Sequence, residues 1–81
     1  MRKYIYYIDE DGYDTLVRDC RGAEELRRGA HAWQKAAEYY WREIYLGQGL
    51  NCLRQISLEE ARQYLTRWGL DPELAQEVIS P

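Results

Sequence analysis

From Ala23 to Leu46 the apolar side chains Leu26, Ala30, Trp33, Ala37, Tyr40 and Ile44 recur at intervals of four and three. That interval lays them along one stripe of a helix. The opposite stripe, Glu24, Arg28, His31, Lys35, Glu38 and Arg42, is polar, and Glu24 to Arg28 and Glu38 to Arg42 are favourably oriented i,i+4 pairs. The pattern predicts one long central helix over 23–46, dry on one side and wet on the other, with His31 an ordinary surface histidine. At 1.5 Å per residue such a helix is about 35 Å long, against a breadth of about 30 Å for a compact domain of this size, so its end should project. Gly47-Gln48-Gly49 supplies the stop, because glycine is costly inside a helix and well suited to a left-handed cap.

Ahead of the helix, Tyr4 to Ile8 and Tyr13 to Val17 are runs of β-formers separated by Asp9-Glu10-Asp11-Gly12. They predict an antiparallel hairpin over 3–19. A type I turn with a glycine bulge would pair Asp9 with Tyr13, Tyr7 with Thr15, Tyr6 with Leu16, Ile5 with Val17 and Lys3 with Asp19. The alternative two-residue turn would set Asp9 against Asp14, where like charges repel. Arg18, Arg21, Arg27 and Arg28 alternate with Asp19, Glu24 and Glu25 at the junction to the helix, which reads as a solvated mixture of charges.

Beyond the helix, Leu50 to Ile56 is either a third strand or an irregular connection. Ser57-Leu58-Glu59-Glu60 is a capping box that opens a helix over 58–68, buried through Leu58, Ala61, Leu65 and Trp68 and ended by Gly69. Asp71-Pro72 then caps a short helix over 72–79, buried through Leu74, Val78 and Ile79. The expectation is a single α+β domain over 1–81: a hairpin packed on one long helix, followed by two short ones.

Two groups of residues are candidates for function. Asp9, Glu10, Asp11 and Asp14 crowd the hairpin tip. They do not make a calcium loop, since the sixth and twelfth positions counted from Asp9 are Asp14 and Cys20 instead of glycine and glutamate. A convex tip also gives no cleft to desolvate a catalytic carboxylate. The tip solvates a turn or offers negative charge to a partner's basic surface. The second group is Tyr39, Trp41 and Tyr45 in "EYYWREIY", spread around more than one helix face. Either a second layer covers them or they await a partner. Eight tyrosines, three tryptophans and no phenylalanine favour half-exposed rings, because tyrosine combines contact area with a polar end.

Several classes are disfavoured. One histidine and two cysteines without a CxxC pair do not make a structural zinc site, and no cofactor motif is present. Cys20 with His31 is the only nucleophile–base pair to be drawn, and no phosphate loop or serine motif accompanies it, so the protein is not expected to be an enzyme. Cys20 and Cys52 are expected to be reduced and buried, as suits a cytoplasmic protein. A net charge of −3 lacks the positive excess of nucleic-acid binders, and no apolar run reaches membrane-spanning length.

What remains is a protein that acts by occupying another protein. Small size, mild acidity, tyrosine richness and a hairpin with helices resemble, in type, phage-encoded inhibitors of bacterial defence systems, anti-CRISPR proteins among them. No motif carries the resemblance and it transfers no residue; the concrete expectation, drawn from charge and exposure, is that the acidic tip docks on a basic, nucleic-acid-handling surface while Tyr39, Trp41 and Tyr45 supply the apolar anchor. The alternative is a small dimeric regulator with weak DNA association through its C-terminal helix pair, with Arg54, Arg62 and Arg67 on phosphates and the aromatic helix end against its own copy.

Overall fold

The computed structural model describes residues 2–11, 14–47 and 52–79. The elements run β1 (Ile5–Asp9), β2 (Thr15–Asp19), β3 (Ala23–Arg27), β4 (Gln34–Lys35), α1 (Glu38–Leu46), β5 (Leu53–Ile56) and α2 (Leu58–Arg67), with a 3-10 turn at Pro72–Leu74. The strands form one antiparallel sheet in the order β4-β3-β2-β1-β5. Because alternate side chains of a strand point to opposite faces, the sheet sorts its residues into two cores. Tyr6, Ile8, Leu16, Leu26 and Ile56 face α2, meeting Ala61 and Leu65, with Ala75 in the same cluster. Val17 and Ala23 face α1, meeting Ala36 and Tyr40, with Tyr7, Ile44 and Leu53 around them.

The fold is α+β, as expected, but the long helix does not form. Its first part is β3, its middle carries β4, and only 38–46 is helical. Two tight turns account for the difference. Arg21 takes φ 61° and the Gly22 amide donates to the Asp19 carboxylate, which reverses the chain between β2 and β3. Gly29 takes φ 98°, a conformation that a helix interior forbids and glycine adopts without strain, and reverses it again. The predicted stripe is consequently divided. Leu26 and Trp33 pack under α2, whereas Ala37, Tyr40 and Ile44 belong to the α1 side. No rod of 35 Å projects: the molecule measures 31 × 31 × 19 Å. His31 is exposed, as expected, but lies in the β3–β4 connection instead of on a helix.

The hairpin forms with its register displaced by two residues. Ile5 faces Asp19, Tyr7 faces Val17, Ile8 faces Leu16 and Asp9 faces Thr15. A slip of two keeps every side chain on its face, and here it aligns Ile8, Leu16 and Leu26 across three strands beneath α2. Gly12 and Tyr13, on which the predicted turn depended, lie outside the described residues. The ambiguous segment contains a strand: β5 pairs with the free edge of β1, Tyr6 facing Ile56 and Asp9 facing Leu53. Leu50 and Asn51 are outside the described residues. The junction charges are not all solvated. Glu25 is buried, and the Arg18 guanidinium lies 4.2 Å from the centres of both the Tyr4 and Trp33 rings while bonding Glu24 at 2.9 Å.

α2 forms as expected. The Ser57 hydroxyl accepts from the Glu60 amide and the Glu60 carboxylate accepts from the Ser57 amide, while Ala61 and Leu65 are fully buried. The second short helix is reduced to Pro72–Leu74, capped by Asp71. After Ala75 the chain extends alongside the N-terminal residues: the Tyr4 amide donates to the Glu77 carbonyl, Lys3 bridges Val78, and the Ile79 amide donates to the Arg2 carbonyl. β-Branched Val78 and Ile79 suit extended backbone better than helix. The segment is further held by Tyr6, whose hydroxyl donates to the Gln76 carbonyl and accepts from the Gln76 amide.

Candidate functional site

The four tip carboxylates do not form one exposed cluster. Asp9 lies at the end of β1, 5% exposed, accepting from the Tyr40 hydroxyl at 2.5 Å and from the Asp11 amide at 3.1 Å. Glu10 accepts from Arg54 and from the Tyr64 hydroxyl, each at 2.9 Å, and these donors hold its carboxyl below the usual range. Asp14 pairs with Arg28 at 3.1 Å. Asp11 alone keeps an exposed carboxylate without a side-chain partner among the described residues. Arg54 and Arg28 come from β5 and the β3–β4 connection, so sequence distance concealed the neutralisation. Beside the tip, Arg28, Tyr64, Arg67 and Trp68 join Glu10 and Asp14 around an open cavity of about 370 Å³.

The aromatic residues of α1 divide differently. A helix turns about 100° per residue, so Trp41 and Tyr45, four apart, share one flank while Tyr39 lies on the other. The Trp41 and Tyr45 ring centres are 5.7 Å apart at 44°. Tyr39 instead leans on Tyr40 at 4.4 Å and its hydroxyl accepts from Arg27 at 3.3 Å. Only Tyr40 of α1 is buried. Tyr39 is 47% exposed, Trp41 43%, Tyr45 43% and Leu46 52%. α2 does not cover these rings because it occupies the opposite face of the sheet.

The Tyr45 hydroxyl donates to the Asp19 carboxylate. That bond, assisted by burial, pushes the phenol up to about 12. Ile5, opposite Asp19 in the sheet, is also exposed and extends apolar surface from the helix onto β1. In front of Trp41, Gly22, Ala23, Lys35, Ala36 and Glu38 enclose a groove of about 550 Å³. Its small-residue floor comes from the β2–β3 turn and the entry to α1, with one charge of each sign among the lining residues. Sequence periodicity missed Ile5 and Leu46. Leu46 falls outside the stripe that assigned the long helix, and Ile5 was given only a register partner in the hairpin.

Cys20 and Cys52 are free thiols at opposite ends of β1, since Cys20 follows the residue facing Ile5 and Cys52 precedes the one facing Asp9. At about 3.3 Å per residue the four-residue separation is too long for a disulfide. Burial and the neighbouring Glu43 carboxylate push the Cys52 thiol up to about 11. Among the described residues no three His, Cys, Asp or Glu side chains converge to hold a metal ion, and no helix is long and apolar enough to cross a membrane. No protein family, curated protein or solved structure matches the chain.

Proposed function

We propose that the protein is a non-catalytic binding module that occupies a partner protein through the Trp41 flank of α1. The observation that carries this is the exposure of Trp41, Tyr45 and Leu46 on a nine-residue helix beside an open groove. Aromatic rings are the side chains that dominate interface energies when a partner desolvates them, and a monomer gains nothing by leaving them half in water. The groove floor of Gly22, Ala23 and Ala36 suits an apolar side chain of the partner seated edge-on to Trp41, with Lys35 and Glu38 available for polar contacts at the rim. The acidic tip supports the role less than its composition suggested, since Asp9, Glu10 and Asp14 are bonded within the fold.

Resemblance in type to phage-encoded inhibitors of bacterial defence makes a nucleic-acid-handling protein of a bacterial host the partner to test first. Immobilised protein and a Trp41→Ala, Leu46→Ala double variant, which leaves the Tyr45–Asp19 bond in place, are compared on the same host lysate. A protein retained by the wild type and lost by the variant, whose circular dichroism is unchanged, supports the assignment. Equal retention by both overturns it. Light scattering separates a second copy from a different partner: a dimer dispersed by the double variant means that this flank serves self-association. The DNA-associated alternative loses its structural basis, because the helix pair it required is not formed and Arg54 and Arg62 bond Glu10 and the Ala75 carbonyl.

A further inference from the structure

We propose that α1 is a flap that opens from the sheet as a unit while the α2 face stays folded. A nine-residue helix is about 13 Å long and too short to persist alone in water, so it exists only while docked. Its docking is largely polar. The Ala37 amide at its start donates to the Glu25 carboxylate at 2.7 Å, in place of any cap from the helix's own side chains. The Tyr40 hydroxyl donates to Asp9 and the Tyr45 hydroxyl to Asp19. Glu43 reaches off the helix to accept from the Cys52 and Leu53 amides at 3.0 and 2.9 Å.

Every one of these links ends on a carboxylate, and water can replace each of them once the helix lifts. The apolar contribution centres on Tyr40 against Val17, Ala23 and Ala36, with Ile44 half-buried beside it; Tyr40 is the one fully buried side chain that the helix brings. Ala37 is extended at φ −58°, ψ 150°, and Gly47 closes the helix in the left-handed region at φ 64°. The α2 side has no such weakness, since its large apolar residues interlock on both partners.

Native-state hydrogen exchange, read by NMR with sub-denaturing urea, tests the flap on the full chain. Amides hydrogen-bonded within α1, Arg42 to Leu46, should exchange through one shared opening at least 100-fold faster, relative to intrinsic rates, than Arg62 to Leu65 of α2. Their rates should depend only weakly on urea. Tyr40→Phe, which removes the bond to Asp9, should accelerate α1 tenfold or more and α2 less than twofold. Equal protection and equal urea dependence of the two helices in the wild type would overturn the proposal, and so would an equal acceleration of both by the substitution. If Tyr40→Phe does not fold, the wild-type comparison decides alone.

Discussion

The two faces of one five-stranded sheet are sealed by different chemistry. Under α2, Tyr6, Ile8, Leu16, Leu26, Ile56, Ala61 and Leu65 form a dry layer whose stability comes from removing apolar area from water, at about 25 cal/mol per Å². Under α1 the buried set includes Asp9, Thr15 and Glu25, and the helix is tied down by hydrogen bonds to carboxylates. Such bonds contribute little net over the water they displace but are expensive when one partner is removed. The α2 face should therefore set global stability, and the α1 face should set local stability and present the binding surface.

The largest expected effect tests the first half of that contrast. Leu65→Ala removes a fully buried side chain and should cost about 2–5 kcal/mol in urea unfolding, a large share of the margin of a domain this small. A loss below about 1 kcal/mol would mean that the α2 layer is not the principal core. Next comes Tyr40→Phe, which removes one of the two donors to the buried Asp9 carboxylate and should cost about 1–3 kcal/mol, concentrated in α1. Gly29→Ala follows at about 1–2 kcal/mol, because nothing crowds the added methyl and the penalty is that of φ 98° alone. The smallest is Trp41→Ala, which should change stability by less than about 0.5 kcal/mol and thereby separate loss of docking from loss of fold.

Alkali sharpens the comparison further. The Tyr45 phenol and Cys52 thiol are both raised, from 10.0 to about 12 and from 9.0 to about 11, so the fold favours their protonated forms. Their stabilising effect is whole below pH 9, where neither ionises in the unfolded chain, and disappears as pH climbs through about 11 and about 12. Absorbance of tyrosinate and hydrogen exchange should show α1 released before α2 at high pH. At pH 8 the Cys52 thiolate should be about 100-fold scarcer than that of an unperturbed thiol, one factor of ten per pH unit, and iodoacetamide labelling should slow to match. Labelling of Cys52 at the rate of a free peptide thiol would contradict its burial against Glu43.

Much of the fold was legible along the chain. The β1–β2 hairpin, the helix stop at Gly47, the Ser57–Glu60 capping box and the α2 stripe all depend on residues within a few positions of one another. The failures share a cause. Ala23 to Arg27 are good helix formers placed in a strand, because Gly29 and the turn at Arg21 and Gly22 return β3 to the edge of β2, where Leu26 joins Leu16 under α2. Val78 and Ile79 carry a helical spacing yet lie extended, because residues 2–4 offer backbone partners. Among candidate site residues, the exposure of Trp41 and Tyr45 was one of two alternatives that the surplus of rings left open, and the placement of α2 on the other face of the sheet decided it. The neutralisation of Glu10 by Arg54 and the burial of Asp9 under Tyr40 were not legible.

The sequence by itself determined a small acidic α+β protein, its turns and caps, and an excess of tyrosine and tryptophan over its own interior. These are properties of composition and of neighbours within one turn of chain. Tertiary structure alone decided which apolar residues share a core, because an apolar stripe spaced for a helix can equally be divided between the two faces of a sheet. It likewise decided which carboxylates are free, because a charge's partner is set by proximity in space, and Asp9 meets Tyr40, 31 residues away, only once α1 lies across the strands.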